Sequence, residues 1–168
     1  MLPGIGDPRA SIAARWRRVA PAALLAALLA AVAPGAEAVE ACGQGADEII
    51  VRVNAVRSDS GSIVAVLYGD NPDDFLKKGR RLDKVFEPAT EGTVDVCLTA
   101  PEPGTYAVAI YHDENGNAKF DKNWIGIPNE GYGISNNPTT FLGPPSFEQA
   151  KFEALDGPTV IDIEVKLA

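Results

Sequence analysis

Short runs of alternating apolar and polar residues, broken by turn-forming residues about every ten positions, constrain this chain more than any other feature. In residues 48–57, Ile49, Val51, Val53 and Ala55 fall on one face and Arg52 and Asn54 on the other. That period of two is the pattern of a half-buried strand. Ser58-Asp59-Ser60-Gly61 is a turn, with Gly61 free to take positive φ. Residues 62–68 form a second strand, apolar on both faces and so covered on both. Together the two strands predict a β-hairpin.

The same pattern continues. Residues 73–78 fit one helical turn, and residues 84–88 a short edge strand closed by Pro88. In residues 93–99, Val94, Val96 and Leu98 face inward and Cys97 outward. Residues 105–112 are rich in β-favouring Tyr, Val and Ile. After a long aperiodic segment, Ser146 is placed to cap a short helix over 147–150, with strands following over 151–155 and 160–167. In the last of these, Ile161, Ile163, Val165 and Leu167 form the inward face. The expectation is an all-β fold: a single antiparallel β-sandwich of six to seven strands, immunoglobulin- or prealbumin-like, carrying one long ordered loop.

Residues 1–38 read differently. Arg9, Arg15, Arg17 and Arg18 precede an apolar Ala- and Leu-rich run over residues 19–33, and Ala36-Glu37-Ala38 supplies a small-x-small cleavage pattern. That order is a secretory signal peptide. The run is shorter than the roughly 20 residues needed to span a bilayer, which disfavours an amino-terminal anchor. Arg17-Arg18 fits twin-arginine export poorly. Residues 39–168 are then one secreted or periplasmic domain, with no stable membrane insertion after cleavage.

Charge narrows the partners. The whole chain has a net charge of −8, and residues 1–38 hold four of its basic and two of its acidic residues, so the remainder carries −10. Such a surface does not seek nucleic acid, whose phosphates need Lys and Arg. Lys77, Lys78, Arg80, Arg81 and Lys84 are the one basic cluster in the domain, read as a solvated loop. Two cysteines, Cys42 and Cys97, in an exported chain predict a disulfide. Val39-Glu40-Ala41-Cys42 also loosely matches a lipidation site, a competing use of Cys42.

Asp113, Asn115, Asn117, Lys119 and Asp121 stand at relative positions one, three, five, seven and nine. Calcium loops of the EF type draw side-chain oxygens from positions one, three, five and nine and a backbone carbonyl from seven. The cofactor expected is calcium, with Lys119 contributing its carbonyl. The pattern departs from an EF-hand: Ala118 stands at position six, Trp124 at twelve, and a strand precedes the loop. The alternative is a loop in which these side chains cap backbone N–H groups as Asx turns.

A second concentration of unusual residues follows. Trp124 and Tyr132 offer stacking faces, and Glu130, Asn136 and Asn137 offer hydrogen bonds, a mixture suited to contact with a glycan or peptide. His112, the only histidine, is the obvious general base if the chain is an enzyme, with Glu130 as its acidic partner.

Tyr111-His112-Asp113-Glu114-Asn115-Gly116-Asn117, Asp121 and the run Ile125-Gly126-Ile127-Pro128-Asn129-Glu130-Gly131-Tyr132-Gly133-Ile134-Ser135-Asn136-Asn137 resemble the signature of a small exported bacterial family, domain-of-unknown-function family 2141. The segments 103–108 and 145–152 fit it as well. The resemblance implies a secreted or periplasmic single-domain protein and brings no activity with it. The family often has Gly where this chain has Ala118. The loop also resembles, locally, the calcium loops of Gram-positive surface-protein B repeats, which sit on prealbumin-like sandwiches.

The function expected is a non-catalytic cell-envelope binding or interaction module with a calcium-stabilised loop, its partner an envelope glycan or peptide. The alternatives are a small hydrolase or lyase using His112 and Glu130, and a purely structural envelope protein.

Overall fold

The computed structural model describes residues 42, 45, 47–139 and 143–167, all within the unit 38–168. The expected leader lies outside the described residues. Two sheets pack face to face. The first has the order β4 (Gly92–Thr99), β1 (Glu48–Val56), β8 (Thr159–Glu164). The second runs β3 (Asp83–Pro88), β2 (Ser62–Tyr68), β5 (Gly104–Asp113), β6 (Tyr132–Ile134), with β7 (Phe152–Ala154) pairing the start of β5. Pairing is antiparallel except between β1 and β8, which run parallel. The expected all-β sandwich is the observed architecture.

The predicted β1–β2 hairpin is not. β1 pairs β4 and β8, whereas β2 pairs β3 and β5, so the turn at 58–61 crosses from one sheet to the other. The two-sided burial of β2 gives the reason: it is an interior strand with a core on each face. Ile63, Ala65 and Leu67 meet Ile49, Val51, Val53, Val96, Leu98 and Ile163 between the sheets. Val64, Val66 and Tyr68 meet Phe75, Tyr111, Ile134 and Phe147 on the outer face. Each fully buried Val, Ile or Leu contributes roughly 1.5–3 kcal/mol.

Two other departures are local. Ala55 bulges out of β1 at φ 61 and is exposed, while Val56 turns into the core in its place. Leu167, expected inside, is largely exposed because the chain after Val165 leaves the first sheet. There Lys166 and Tyr132 exchange backbone hydrogen bonds of 2.7 and 2.9 Å, tying the tail to β6.

The helical turn expected over 73–78 is a 3-10 turn at Pro72–Asp74, capped by Asn71, because Pro72 suits the first position of such a turn; three other expectations are met. β3 is an edge strand, α1 (Phe147–Ala150) begins after Ser146, and the Ser146 N–H donates to Gln149 Oε1 at 3.0 Å. Cys42 and Cys97 form a disulfide, with Cα atoms 5.5 Å apart, so Cys42 has no thiol left for a lipid.

Candidate functional site

The long loop begins where β5 ends. Its first residue, Asp113, is buried, and its carboxylate accepts the N–H groups of Asn117 (3.0 Å) and Ala118 (2.7 Å). Asn115 Oδ1 accepts from Asn117 N–H, and Asn117 Oδ1 accepts from Lys119 N–H, two successive Asx turns. The amide groups of Asn115 and Asn117 both donate to Asp121 Oδ2, at 2.8 and 2.7 Å. The side-chain oxygens of Asp113, Asn115 and Asn117 thus hold backbone N–H groups, the bonds of the Asx-turn alternative, and only the Asn115 and Asn117 amide nitrogens meet at one oxygen of Asp121. Ala118 takes φ 60, the conformation for which glycine is favoured.

Beyond Asp121 the chain makes a narrow finger. Asn129 N–H donates to Asp121 O, Asn123 N–H to Ile127 O and Gly126 N–H to Asn123 O. Asn123 Oδ1 accepts from both Ile125 and Ile127 N–H at 3.0 Å, so one side chain organises the whole tip. On that tip Trp124 is 94% exposed, and Ile125 and Ile127 are exposed beside it. At the finger's base Phe120 packs on Tyr111 and Tyr132, with centroids 5.5 and 6.0 Å apart. A hollow of about 280 Å³ opens there, lined by Phe120, Lys122, Ile127, Pro128, Tyr132 and Pro145 among others.

The remaining predicted contact residues lie further in. Glu130 is only 6% exposed; its Oε2 accepts the Asp121 N–H at 3.0 Å and its Oε1 has no hydrogen-bond partner. Burial first, then the nearby Asp121, Asp113 and Glu114, pushes its carboxyl above the usual range, against the Asp121 N–H, which pulls it down. Asn136 donates to the carbonyls of Gln149 and Lys151, holding α1. Asn137 receives the Glu164 N–H and donates to Asp162 O, holding β8. Both take positive φ, at 66 and 49. Ser135 is buried, its hydroxyl donating to Ala150 O at 2.5 Å.

His112 is 1% exposed. Its Nε2 donates to the Ser60 carbonyl at 2.7 Å and its Nδ1 lies 3.5 Å from Glu114. The ring ties the crossover turn to the end of β5, buried beneath the surface rather than facing an open pocket.

One participant was missed. Lys84 was grouped with a solvated basic loop, yet it is half-buried on β3. Its ammonium donates to Tyr111 OH (3.0 Å) and to Ala118 O (3.3 Å), clamping the strained corner of the loop. Burial lowers the Lys84 pKa and pushes the Tyr111 phenol up to about 12. Alternation along an edge strand was the available signal, but the carbonyl it reaches lies 34 residues away in sequence. Lys84→Met is expected to cost about 1 kcal/mol in urea unfolding and to speed hydrogen exchange at the Asn117 and Ala118 amides. Unchanged exchange there would remove the clamp.

Among the described residues, no helix is long and apolar enough to cross a membrane, and no three His, Cys, Asp or Glu side chains gather as a metal cluster by themselves. A family model described as an uncharacterized protein conserved in bacteria, DUF2141, matches residues 51–162. No curated protein and no solved structure matches the chain.

Proposed function

The chain belongs to the DUF2141 family of bacterial proteins, and from that premise we propose that it is an exported, non-catalytic interaction module of the cell envelope. The contact surface is the finger tip and the hollow at its base. The observation that carries this reading is Trp124: a large aromatic, 94% exposed, on a turn whose backbone is fixed by Asn123. A soluble domain gains nothing for its own stability from an apolar side chain held out in water. Rigid presentation of an aromatic anchor lowers the entropy cost of binding a partner. Tyr132, half-buried at the hollow's edge, supplies a second ring. The partner class is an envelope glycan or peptide, since flat sugar faces and apolar side chains both stack on exposed aromatics. The loop behind the finger is stabilised by calcium drawn to Asp113, Asn115, Asn117, the Lys119 carbonyl and Asp121. Export is supported by the leader pattern and by the disulfide, which persists in oxidising compartments.

With the leader and its Trp16 removed, Trp124 is the only tryptophan, so its emission reports on the tip alone. Titration with soluble peptidoglycan fragments, envelope polysaccharide and a peptide library is expected to blue-shift that emission for one class. Trp124→Ala should abolish co-sedimentation with the same material while leaving far-UV circular dichroism unchanged. No response to any of the three would leave the chain a structural envelope protein, and equal binding by Trp124→Ala would move the contact surface away from the finger tip.

A further inference from the structure

We propose that a cleft behind the finger receives the carboxy-terminal residue of a peptide, its large apolar side chain inside the cleft and its carboxylate at Lys122. The assignment rests on the interaction-module reading above and selects the peptide from the two partner classes named there.

The cleft adjoins the hollow at the finger's base and shares Phe120, Lys122, Tyr132 and Pro145 with it. It reaches further in, onto Val66, Tyr68, Tyr111 and Ile134 of the outer-face core, and has a volume of about 250 Å³. An apolar cavity of about 150 Å³ accommodates a benzene ring, so a Leu, Phe or Trp side chain has room here.

The walls select the chemistry of what enters. Among the described residues no Asp or Glu lines the cleft or the hollow, although residues 39–168 carry a net charge of −10. The one charged side chain lining both is Lys122. The finger fixes its place: Lys122 bridges Pro128, between the Asn123–Ile127 and Asn129–Asp121 hydrogen bonds. Its ammonium lies 5.3 Å from the centre of the Phe120 ring, and the ion pairs among the described residues all involve other side chains. An exposed cation without a counter-charge, beside an apolar cleft, matches an anion joined to an apolar group.

The form of that anion follows from the backbone. A residue within a chain would bring a peptide group on each side of it to the mouth, where each needs a partner. The finger's backbone groups bond chiefly within the finger. A terminal residue brings one peptide group only, and carries its carboxylate on the same carbon as its side chain. A glycan is the poorer match, because its hydroxyls need several donors and acceptors once they leave water. The nearby amides of Asn123, Asn136 and Asn137 are bonded to this chain's own backbone.

The test titrates the protein with an acetylated tetrapeptide ending in phenylalanine, with its carboxamide, and with the acid ending in alanine, followed by calorimetry and amide resonances. The phenylalanine acid is expected to bind and to shift the amides of Ala109, Lys122 and Ile134. The carboxamide, which lacks the charge, and the alanine acid, which leaves the cleft empty, should each bind about tenfold more weakly or worse. Lys122→Gln replaces an exposed side chain and leaves the apolar floor intact, so it should fold and should bind the acid no better than the carboxamide. Equal affinity for acid and carboxamide, unchanged acid binding by Lys122→Gln, or shifts confined to residues away from the cleft would each overturn the assignment. No peptide binding, with Trp124-dependent co-sedimentation intact, would remove this ligand alone and leave the interaction module standing. Loss of both would remove the two together.

Discussion

Gly61→Ala will destabilise the domain by about 3–5 kcal/mol, a large share of the 5–15 kcal/mol that holds a typical domain together. Two costs combine. Gly61 takes φ 71, where an L-residue loses about 1 kcal/mol or more. A Cβ there would also overlap the carbonyl oxygen of Asp113 and lie 2.9 Å from the Asp113 carbonyl carbon and the Glu114 Cα. Those are backbone atoms, so no side-chain rotation relieves the contact. The crossover turn and the end of β5 are fixed to each other by Ser62 opposite Asp113 in the ladder, and by His112 holding the Ser60 carbonyl. Relief must therefore come from shifting the first residue of the loop. The expected result is a lower urea midpoint accompanied by displaced amide resonances at Asn117 and Ala118, whose N–H groups the Asp113 carboxylate holds. A loss below 1 kcal/mol would mean that the turn and the strand end move independently.

That coupling is also what the sequence could not disclose. Gly61 was legible as a turn glycine, but the turn was assigned to a hairpin because consecutive strands usually pair. The two-sided apolar pattern of β2 already said that it had a core on each side. It did not say which strands lay beside it. Strand existence, inward faces and the short helix after Ser146 follow from local chemistry and were readable. The bulge at Ala55 was not, since it arises from the register between β1 and β4 rather than from anything distinctive about alanine.

The site divides along the same line. The Asp113–Asp121 turn cluster is local, and its bonds are the Asx turns that the spacing of Asp and Asn also allowed. Trp124 is exposed because Asn123 and Gly126 fold the tip by short-range bonds. Asn136, Asn137 and Glu130 looked like surface groups because their partners are remote. Asn137 meets Glu164, 27 residues on, and the burial of Glu130 needs a finger closed over ten residues. Polar residues in a loop read as solvent-facing until tertiary structure supplies an inward donor or acceptor.

Cys97→Ser is the other substitution with a large expected effect. The bridge to Cys42 closes a loop of 55 residues, for which chain entropy gives about 4 kcal/mol. For a domain of this size that is a fall of roughly 15 °C in Tm. Cys97 lies on β4, an edge strand of the sheet that does not contain β5, so the bridge secures the chain before β1 without touching the loop. Scanning calorimetry should show the same fall when reductant is added to the wild type, and no further fall for Cys97→Ser. Trp124 emission measured well below Tm should be the same in both proteins, because the bridge sits on the sheet that does not contain β5. A wild type indifferent to reductant would break the step from two cysteines to an oxidising compartment, since a bridge that contributes nothing to the fold gives no physical reason for the chain to need one.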